Sequence, residues 1–140
     1  MATAPQFAST PNKGTPGSLT AANTSKDGTG STGRLLIFTA ATGGSILPFV
    51  RNFPKGGNVA TLVRFFKNNG SDPEVAANNS LIGEQDIALS TLSETAANSW
   101  YDTPLNVGLQ GGANPERVDA LLATAVATGI AITPMNGGDL

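Results

Sequence analysis

Glu84 and Asp86 are the residues that come nearest to a catalytic arrangement in this sequence, because they lie two positions apart and would share one face of a strand. Carboxyl pairs that hydrolyse glycosidic bonds stand about 5–9 Å apart, in a cleft that we expect to be rich in aromatic side chains. The chain has one Trp and one Tyr, adjacent at Trp100 and Tyr101, which is a poor supply for such a cleft. We therefore interpret Glu84 and Asp86 as a solvated strand face and expect no catalytic residues and no enzyme.

Other familiar chemistries lack either their residues or their spacing. The chain has no histidine and no cysteine, which removes the commonest general base and all thiolate chemistry. Residues 24–33 combine glycines, hydroxyl groups and Lys26, but the phosphate-loop spacing is missing and no strand-to-helix transition follows, so Asp27-Gly28 is more simply a turn. A calcium-loop pattern is also missing. We expect no cofactor, no metal and no small-molecule substrate.

The composition is that of one small domain built from short strands and tight turns. The 140 residues include 17 glycines and 9 prolines, and the charged share of 13% is about half of what is usual. The start shows no signal-peptide pattern, and no apolar run approaches the roughly 20 residues that span a bilayer. The basic residues are sparse and the net charge is −2, so we expect neither a membrane nor a nucleic acid as a partner.

The charges are divided unevenly along the chain. From residue 1 to Lys67 the chain has seven basic residues and one acidic residue, Asp27. From residue 68 to the end it has nine acidic residues and one basic residue, Arg117. The basic set is Lys13, Lys26, Arg34, Arg51, Lys55, Arg64 and Lys67, and the acidic set is Asp72, Glu74, Glu84, Asp86, Glu94, Asp102, Glu116, Asp119 and Asp139. Either the strands of the two halves interleave and the charges mix, which we favour, or the molecule has a basic face and an acidic face suited to docking.

The segment from Asn58 to Asn69 is the clearest strand. It lies between glycine pairs and turn residues, and its β-branched and aromatic residues place apolar groups on both faces, which indicates a strand deep in a sheet. Further strands are predicted at 18–23, 34–40, 45–53, 81–89, 100–109 and 130–133. Pro48 cannot donate to a ladder, so it predicts an edge or a bulge. In the segment 81–89, alternation places Leu81 on the same side as Ile87.

Residues 116–128 fit two structures. A helical stripe after Pro115 would consist of Val118, Leu121, Leu122, Ala125 and Val126. As a strand, Val118, Ala120 and Leu122 alternate with Asp119, Leu121 and Ala123. We favour a strand that turns in a hairpin about residues 127–129 into the strand at 130–133.

These elements predict an all-β fold, an antiparallel β-sandwich of about eight strands at roughly 10-residue spacing, and eight strands in two sheets suggest a jelly roll. Residues 1–17 are predicted to be an extended, proline-rich N-terminal arm, held by a neighbouring subunit or packed along its own domain. Residues 18–140 are predicted to be a single β-sandwich domain.

Several segments resemble small virion proteins of tailed bacteriophages. They are residues 20–30 (TAANTSKDGTG), 38–45 (FTAATGGS), 63–70 (VRFFKNNG) and the ending 136–139 (NGGD). The length and composition look like those of the jelly-roll cement (decoration) proteins of short-tailed Bordetella phages. The resemblance implies a protein made in the host bacterial cytoplasm that sits on the outer surface of the phage head. There it would bridge neighbouring major capsid proteins, pair with itself as a dimer across two-fold axes and stabilise the capsid.

Two other functions stay open: a phage tail, baseplate or head-fibre component that binds host surface glycans, and a sandwich binding module unrelated to phages. The family motifs do not identify the interface residues, so we predict them from the arm, the basic first half and the aromatic pair Trp100-Tyr101. Trp100 and Tyr101 would each suit the core as well as an interface. The predicted interface residues are Pro5, Phe7, Pro11, Pro16, Arg51, Phe53, Lys55, Trp100 and Tyr101.

Overall fold

The computed structural model describes residues 8–140 as two antiparallel sheets that enclose one core. Its strands are β1 Thr10–Pro11, β2 Gly17–Leu19, β3 Arg34–Thr39, β4 Ser45–Pro54, β5 Thr61–Asn68, β6 Asn79–Ile87, β7 Tyr101–Leu109, β8 Arg117–Leu122, β9 Ile130–Met135 and β10 Gly138–Asp139. One turn of 3-10 helix, Ala76–Asn78, precedes β6. Sheet A contains β1, β2, β4, β7, β9 and β10, and sheet B contains β3, β5, β6 and β8.

The strand order is that of a jelly roll. Sheet A runs β2-β9-β4-β7, with β1 and β10 extending it beside β4, and sheet B runs β3-β8-β5-β6. Each strand of the first half therefore pairs with a strand of the second half: β2 with β9, β3 with β8, β4 with β7, and β5 with β6. A chain folded back on itself and then rolled into two sheets has this connectivity, so the predicted fold is confirmed.

The core is built by alternation along these strands. In β5, Val63 and Phe65 point between the sheets and are fully buried, and β5 lies between β8 and β6, as its sequence predicts. Phe66 points to the other side of sheet B and is also buried. Burial on both sides explains why this strand carries apolar residues at successive positions.

The prediction for residues 116–128 is half right. The strand is confirmed as β8, but the hairpin about residues 127–129 is wrong, because β8 belongs to sheet B and β9 to sheet A. Residues 123–129 thus cross between the sheets. Val118 and Leu122 face the core and Leu121 faces outward, all of them buried, which explains why the segment resembled a helical stripe.

Two bulges change which residues face the core. β4 lies inside sheet A, and Pro48 sits where its register with β7 shifts, so the predicted bulge is confirmed. A second shift, in β6, leaves Ile82 unpaired between Gly83 and Leu81. The prediction that Leu81 shares a side with Ile87 is wrong for this reason: Leu81 is 47% exposed, whereas Ile87 is buried.

Part of the predicted arm lies along the sandwich. The amide of Asn12 donates to the carbonyl of Gly137 at 2.8 Å, and the amide of Thr15 donates to the carbonyl of Ile37 at 2.7 Å. Between them Gly14 has a φ of 62°, and a Cβ atom there would collide with the Ile37 carbonyl, so this close approach requires glycine.

Basic residues of the first half of the chain form ion pairs with acidic residues of the second half. Among residues 8–140, every described ion pair joins a base of the first half to an acid of the second: Arg34–Asp119, Arg51–Asp102, Arg64–Glu84 and Lys67–Glu116. The interpretation that strands interleave and charges mix is confirmed for these pairs.

The bulge in β6 is tested by a matched pair of substitutions. Leu122→Ala removes a fully buried side chain and should lower the free energy of unfolding by about 2–5 kcal/mol, whereas Leu81→Ala should cost about 0.5 kcal/mol or less. Chemical denaturation of both variants measures this. Equal losses would contradict the outward position of Leu81.

Candidate functional site

The outer surface of sheet A is the part of the molecule that most resembles an interface. In β4, Val50 and Asn52 point inward and are buried, so Phe49, Arg51 and Phe53 point outward. The register places outward residues of β7 and β9 beside them. We call this surface the A face; it consists of Ile46, Phe49, Arg51, Phe53, Trp100, Asp102, Pro104, Asn106, Ala131, Thr133 and Met135.

A paired charge sits within the A face. The Nε of Arg51 donates to Oδ1 of Asp102 at 2.8 Å, and its Nη2 donates to Oδ2 at 2.9 Å. The same guanidinium lies 5.1 Å from the centroid of the Trp100 ring. The hydrogen bond from Arg51 lowers the pKa of Asp102 below its ordinary value, and the bond to Asp102 raises the pKa of Arg51. The A face therefore carries its charge in neutralised form, which reduces the cost of removing it from water.

The surface of the A face is uneven near the bulge at Pro48. The extra residue of this bulge is in β7, where Leu105 and Asn106 stand opposite Pro48. Asn106 has a φ of 48°, a left-handed conformation that Asn adopts more readily than most residues. Two shallow depressions flank this point. One, of about 240 Å³, is lined by Ile46, Leu47, Pro48, Asn106, Val107 and Gly108; the other, of about 360 Å³, is lined by Pro48, Phe49, Asp102, Pro104 and Asn106. Both are apolar enough to receive a side chain of a partner.

The glycine-rich loop, residues 20–33, covers part of the outer surface of sheet B, where Leu36 and Leu81 stay exposed. The amide of Asn23 donates to the carbonyl of Leu122 at 2.6 Å, and the amide of Leu122 donates to the carbonyl of Gly33 at 3.3 Å. Gly28 lies directly on Phe66, because a Cβ atom at Gly28 would be 2.9 Å from the ring. Phe66 and Leu121 are thus enclosed by the chain itself.

A buried ion pair holds this loop in place. Nη2 of Arg34 lies 2.6 Å from Oδ2 of Asp119, and the two side chains are only 10% and 5% exposed. Nη1 of Arg34 donates to the carbonyl oxygens of Gly28 and Gly30. Removing one partner of such a pair would leave an uncompensated charge. The loop is therefore held in place over this part of sheet B.

The loop also satisfies its own polar groups. Asp27 accepts hydrogen bonds from the Ser25 hydroxyl at 2.6 Å and from the Thr29 hydroxyl at 2.7 Å. These bonds lower the pKa of Asp27 from 3.8 to about 2, with Ser25 the largest cause. The hydroxyls are thus engaged within the loop, and Gly28 has the positive φ of a turn residue, 81°.

The predicted interface residues fall in different places. Arg51, Phe53 and Trp100 lie together on the A face, and Trp100 is 57% exposed. Tyr101 points the other way, packs against the core and accepts a hydrogen bond from the amide of Ala88 at 3.2 Å. The structure thus separates the two adjacent aromatic residues.

The remaining predicted residues are not members of the A face as defined above. Lys55 follows the end of β4 and is exposed, as is Pro16 before β2. Pro11 lies in β1 opposite Gly138, the partner of Ile46, so its exposed side chain is on the outward side of sheet A. Pro5 and Phe7 lie outside the described residues.

Sequence reasoning named only Arg51, Phe53 and Trp100 among the members of the A face. The residues that it missed include Phe49, Pro104 and Met135, which are neighbours in the register. Phe49 could have been found, because it stands two positions before Arg51 and four before Phe53 on one strand face. Met135 lay beyond the predicted end of its strand, and its neighbour in the sheet is set by long-range pairing.

Glu84 and Asp86 lie exposed on β6, where Glu84 is 3.5 Å from Arg64. The part of the chain that the structure describes has no cluster of three or more His, Cys, Asp or Glu side chains able to hold a metal ion. Within residues 8–140, none of the helical segments has the length and apolar character needed to cross a membrane. No protein-family model, curated protein or solved structure matches the chain.

The hydrogen bonds of Asp27 predict a pH dependence for the loop. Because its pKa is lowered on folding, its contribution to stability is fully present above the ordinary value of 3.8 and is lost as the pH falls through about 2. Ser25→Ala should move the pKa of Asp27 back toward 3.8, as followed by carboxyl carbon NMR. Ser93→Ala, in a separate exposed loop, is the control and should leave it unchanged. An Asp27 that titrates near 3.8 in the unaltered protein would refute the arrangement.

Proposed function

We propose that this protein is a non-enzymatic cement protein of a phage head, which binds the outer surface of the capsid and bridges neighbouring major capsid proteins. The observation that carries the proposal is the difference between its two outer surfaces. On sheet B the chain's own loop encloses the aromatic Phe66, and the exposed apolar residues are Leu36 and Leu81. The A face instead brings Phe49, Phe53, Trp100 and Met135 together, with Trp100 57% exposed and the other three half-buried.

The A face has the composition of a contact surface. Aromatic residues, methionine and arginine are enriched at protein interfaces. Of the types that are depleted there, lysine and glutamate are missing from the A face, and aspartate and alanine occur once each. The residue types favoured as hot spots, Trp and Arg, stand next to each other at Trp100 and Arg51. A partner would gain aromatic anchors without having to separate an unpaired charge from water.

The size of the domain suits this role. An ordinary interface buries about 800 Å² on each partner, which a 14.1 kDa domain can supply. A rigid sandwich placed across a joint between two capsid subunits would add contact area on both sides of the joint. Many copies on one shell, each with a second contact through a terminal arm or a second copy of the chain, would convert modest affinity into firm retention.

A charged substitution on the A face tests the proposal. Trp100→Glu and Phe53→Glu should leave the domain folded but reduce the amount of protein on phage heads at least about tenfold, because a single hot-spot residue can carry about 2 kcal/mol. Leu81→Glu, exposed on sheet B, is the matched control and should be retained. Sedimentation of heads with added protein measures occupancy, and the temperature at which heads burst measures stabilisation. If the Trp100→Glu and Phe53→Glu variants bind phage heads in the same amount as the unaltered protein, the A face is not the surface that binds the capsid.

The contribution of the N-terminal arm can be tested separately by a truncation that removes none of the described strands. Removing residues 1–17 would also remove β1 and the start of β2, so loss of binding would have two explanations. Removing residues 1–7 leaves all the described strands in place and isolates the contribution of the terminal segment.

One observation favours glycan binding as a second candidate. Trp100 is 57% exposed and lies beside the Arg51–Asp102 pair, which offers an aromatic surface and polar partners to a sugar ring. Asp102 also lines the larger depression.

The glycan candidate predicts a change in tryptophan fluorescence. Trp100 is the chain's one Trp, so a sugar that stacks on it should shift the emission of the whole protein in a saturable way. A panel of host surface oligosaccharides is the probe, and Tyr101→Phe is a control that keeps Trp100. Emission that stays constant across the panel would exclude this candidate.

A further inference from the structure

The chain contains two Asn-Gly pairs, Asn69-Gly70 and Asn136-Gly137. Asparagine is a thermolabile residue, and it loses its side-chain amide most readily before glycine, because glycine has no Cβ atom to shield the backbone nitrogen that attacks. Whether such a pair reacts in a folded protein depends on how firmly the reacting groups are held. The two pairs can therefore be compared within one molecule.

Asn69-Gly70 is held by hydrogen bonds at both reacting groups. The amide of Gly70, which would be the nucleophile, donates to Oδ1 of Asn68 at 2.8 Å. The side chain of Asn69 donates to Oδ1 of Asn78 at 3.2 Å and accepts from the amide of Ser71 at 3.1 Å. All three hydrogen bonds must open before the nitrogen of Gly70 can reach the side-chain carbon of Asn69.

Asn136-Gly137 is held less firmly. The pair lies between β9 and β10, and Asn136 is exposed. Among residues 8–140, neither the side chain of Asn136 nor the amide of Gly137 takes part in a described hydrogen bond. The attacking nitrogen and the carbon that it attacks are thus both free of the restraints seen at Asn69-Gly70.

A proline in the neighbouring strand accounts for this break between β9 and β10. Both strands pair with β4 in one register, in which Gly138 lies opposite Ile46. The same register places Asn136 opposite Pro48. The nitrogen of Pro48 has no hydrogen to donate, so the ladder is interrupted at this point.

We propose that Asn136-Gly137 is a site of spontaneous deamidation and that the fold protects Asn69-Gly70 from the same reaction. The nitrogen of Gly137 attacks Cγ of Asn136, and the side-chain nitrogen leaves as ammonia, which carries away the proton of the Gly137 amide. The product is a cyclic succinimide. Water then opens one of the two bonds from the ring nitrogen to a carbonyl carbon, which gives aspartate or isoaspartate at position 136. This reaction does not depend on the proposed function.

The isoaspartate product would disturb the N-terminal segment. It adds one backbone carbon just before Gly137, whose carbonyl accepts from the amide of Asn12 at 2.8 Å. Gly137 has little room to shift, because a Cβ atom on it would collide with the carbonyl oxygen of Asn12 and with the ring of Phe38. The longer backbone should therefore break the hydrogen bond that holds Asn12 on the sandwich.

Peptide mass spectrometry of the full chain, incubated at neutral pH in water labelled with heavy oxygen, tests the site. In the folded protein, Asn136 should be converted at least about tenfold faster than Asn69, because the three hydrogen bonds around Asn69-Gly70 must open first. In urea, where the chain is unfolded, the two pairs should react at similar rates. Asn78→Ala removes one of the three hydrogen bonds and should speed the conversion of Asn69 while leaving that of Asn136 unchanged.

Two results would overturn the proposal. One is a folded protein in which Asn69 is converted as fast as Asn136. The other is a folded protein in which Asn136 stays intact over a time that converts it fully in urea.

Hydrogen exchange at the Asn12 amide tests the structural consequence. The isoaspartate form, separated by chromatography, should exchange this amide faster than the unaltered protein does. Asn136→Asp adds the charge without the extra backbone carbon, so it is the matched control and should exchange at the unaltered rate. Equal protection of Asn12 in the isoaspartate form would contradict the inferred loss of its bond to Gly137.

Discussion

The antiparallel pairing of the first half of the chain with the second half is the constraint on which the other features of this structure depend. Each sheet contains partners far apart in sequence, so neither sheet is complete before the chain has folded back on itself. The ion pairs follow the same pattern, and the Arg34–Asp119 pair is also buried. Most exposed pairs contribute about 0–1 kcal/mol, so their role here is better described as favouring one register than as supplying stability.

This pairing also limits what the sequence could predict. Whether a segment forms a strand depends largely on its own residues. The β-branched and aromatic residues of β5 predicted a strand correctly, and the proline of β4 predicted a bulge correctly. Partner choice is not local. The turn at residues 127–129 has the same composition whether it closes a hairpin or crosses between sheets, so the sequence pattern could not distinguish the two. A bulge has the same effect on face assignment, because one extra residue at Ile82 moved Leu81 from the expected inner side to the outer side.

In the candidate site, too, some features follow from single residues and others depend on the whole topology. Arg51, Phe53 and Trp100 were predicted as contacts on residue type alone, and the fold brings them onto one surface. Tyr101 was named for the same reason, yet its position next to Trp100 in a strand sends it to the opposite side. Phe49 and Met135 join the surface through the alignment of β4 with β9, which depends on the whole topology. The coverage of Phe66 on sheet B by the glycine-rich loop has no local sequence signal at all.

The pairing of β1 with β10 has a mechanical consequence. Thr10 lies opposite Asp139, so a force that pulls the two ends of the described chain apart acts on the outermost pair first. The hydrogen bonds from Ser9 to Asp139 and from Asn12 to Gly137 would then break in succession, as in a zip, at low force. A force that enters along the strands through the middle of sheet A would instead have to shear the long β4 ladders on both sides at once. The sandwich is therefore weak when pulled by its ends and strong when stretched along its central strands.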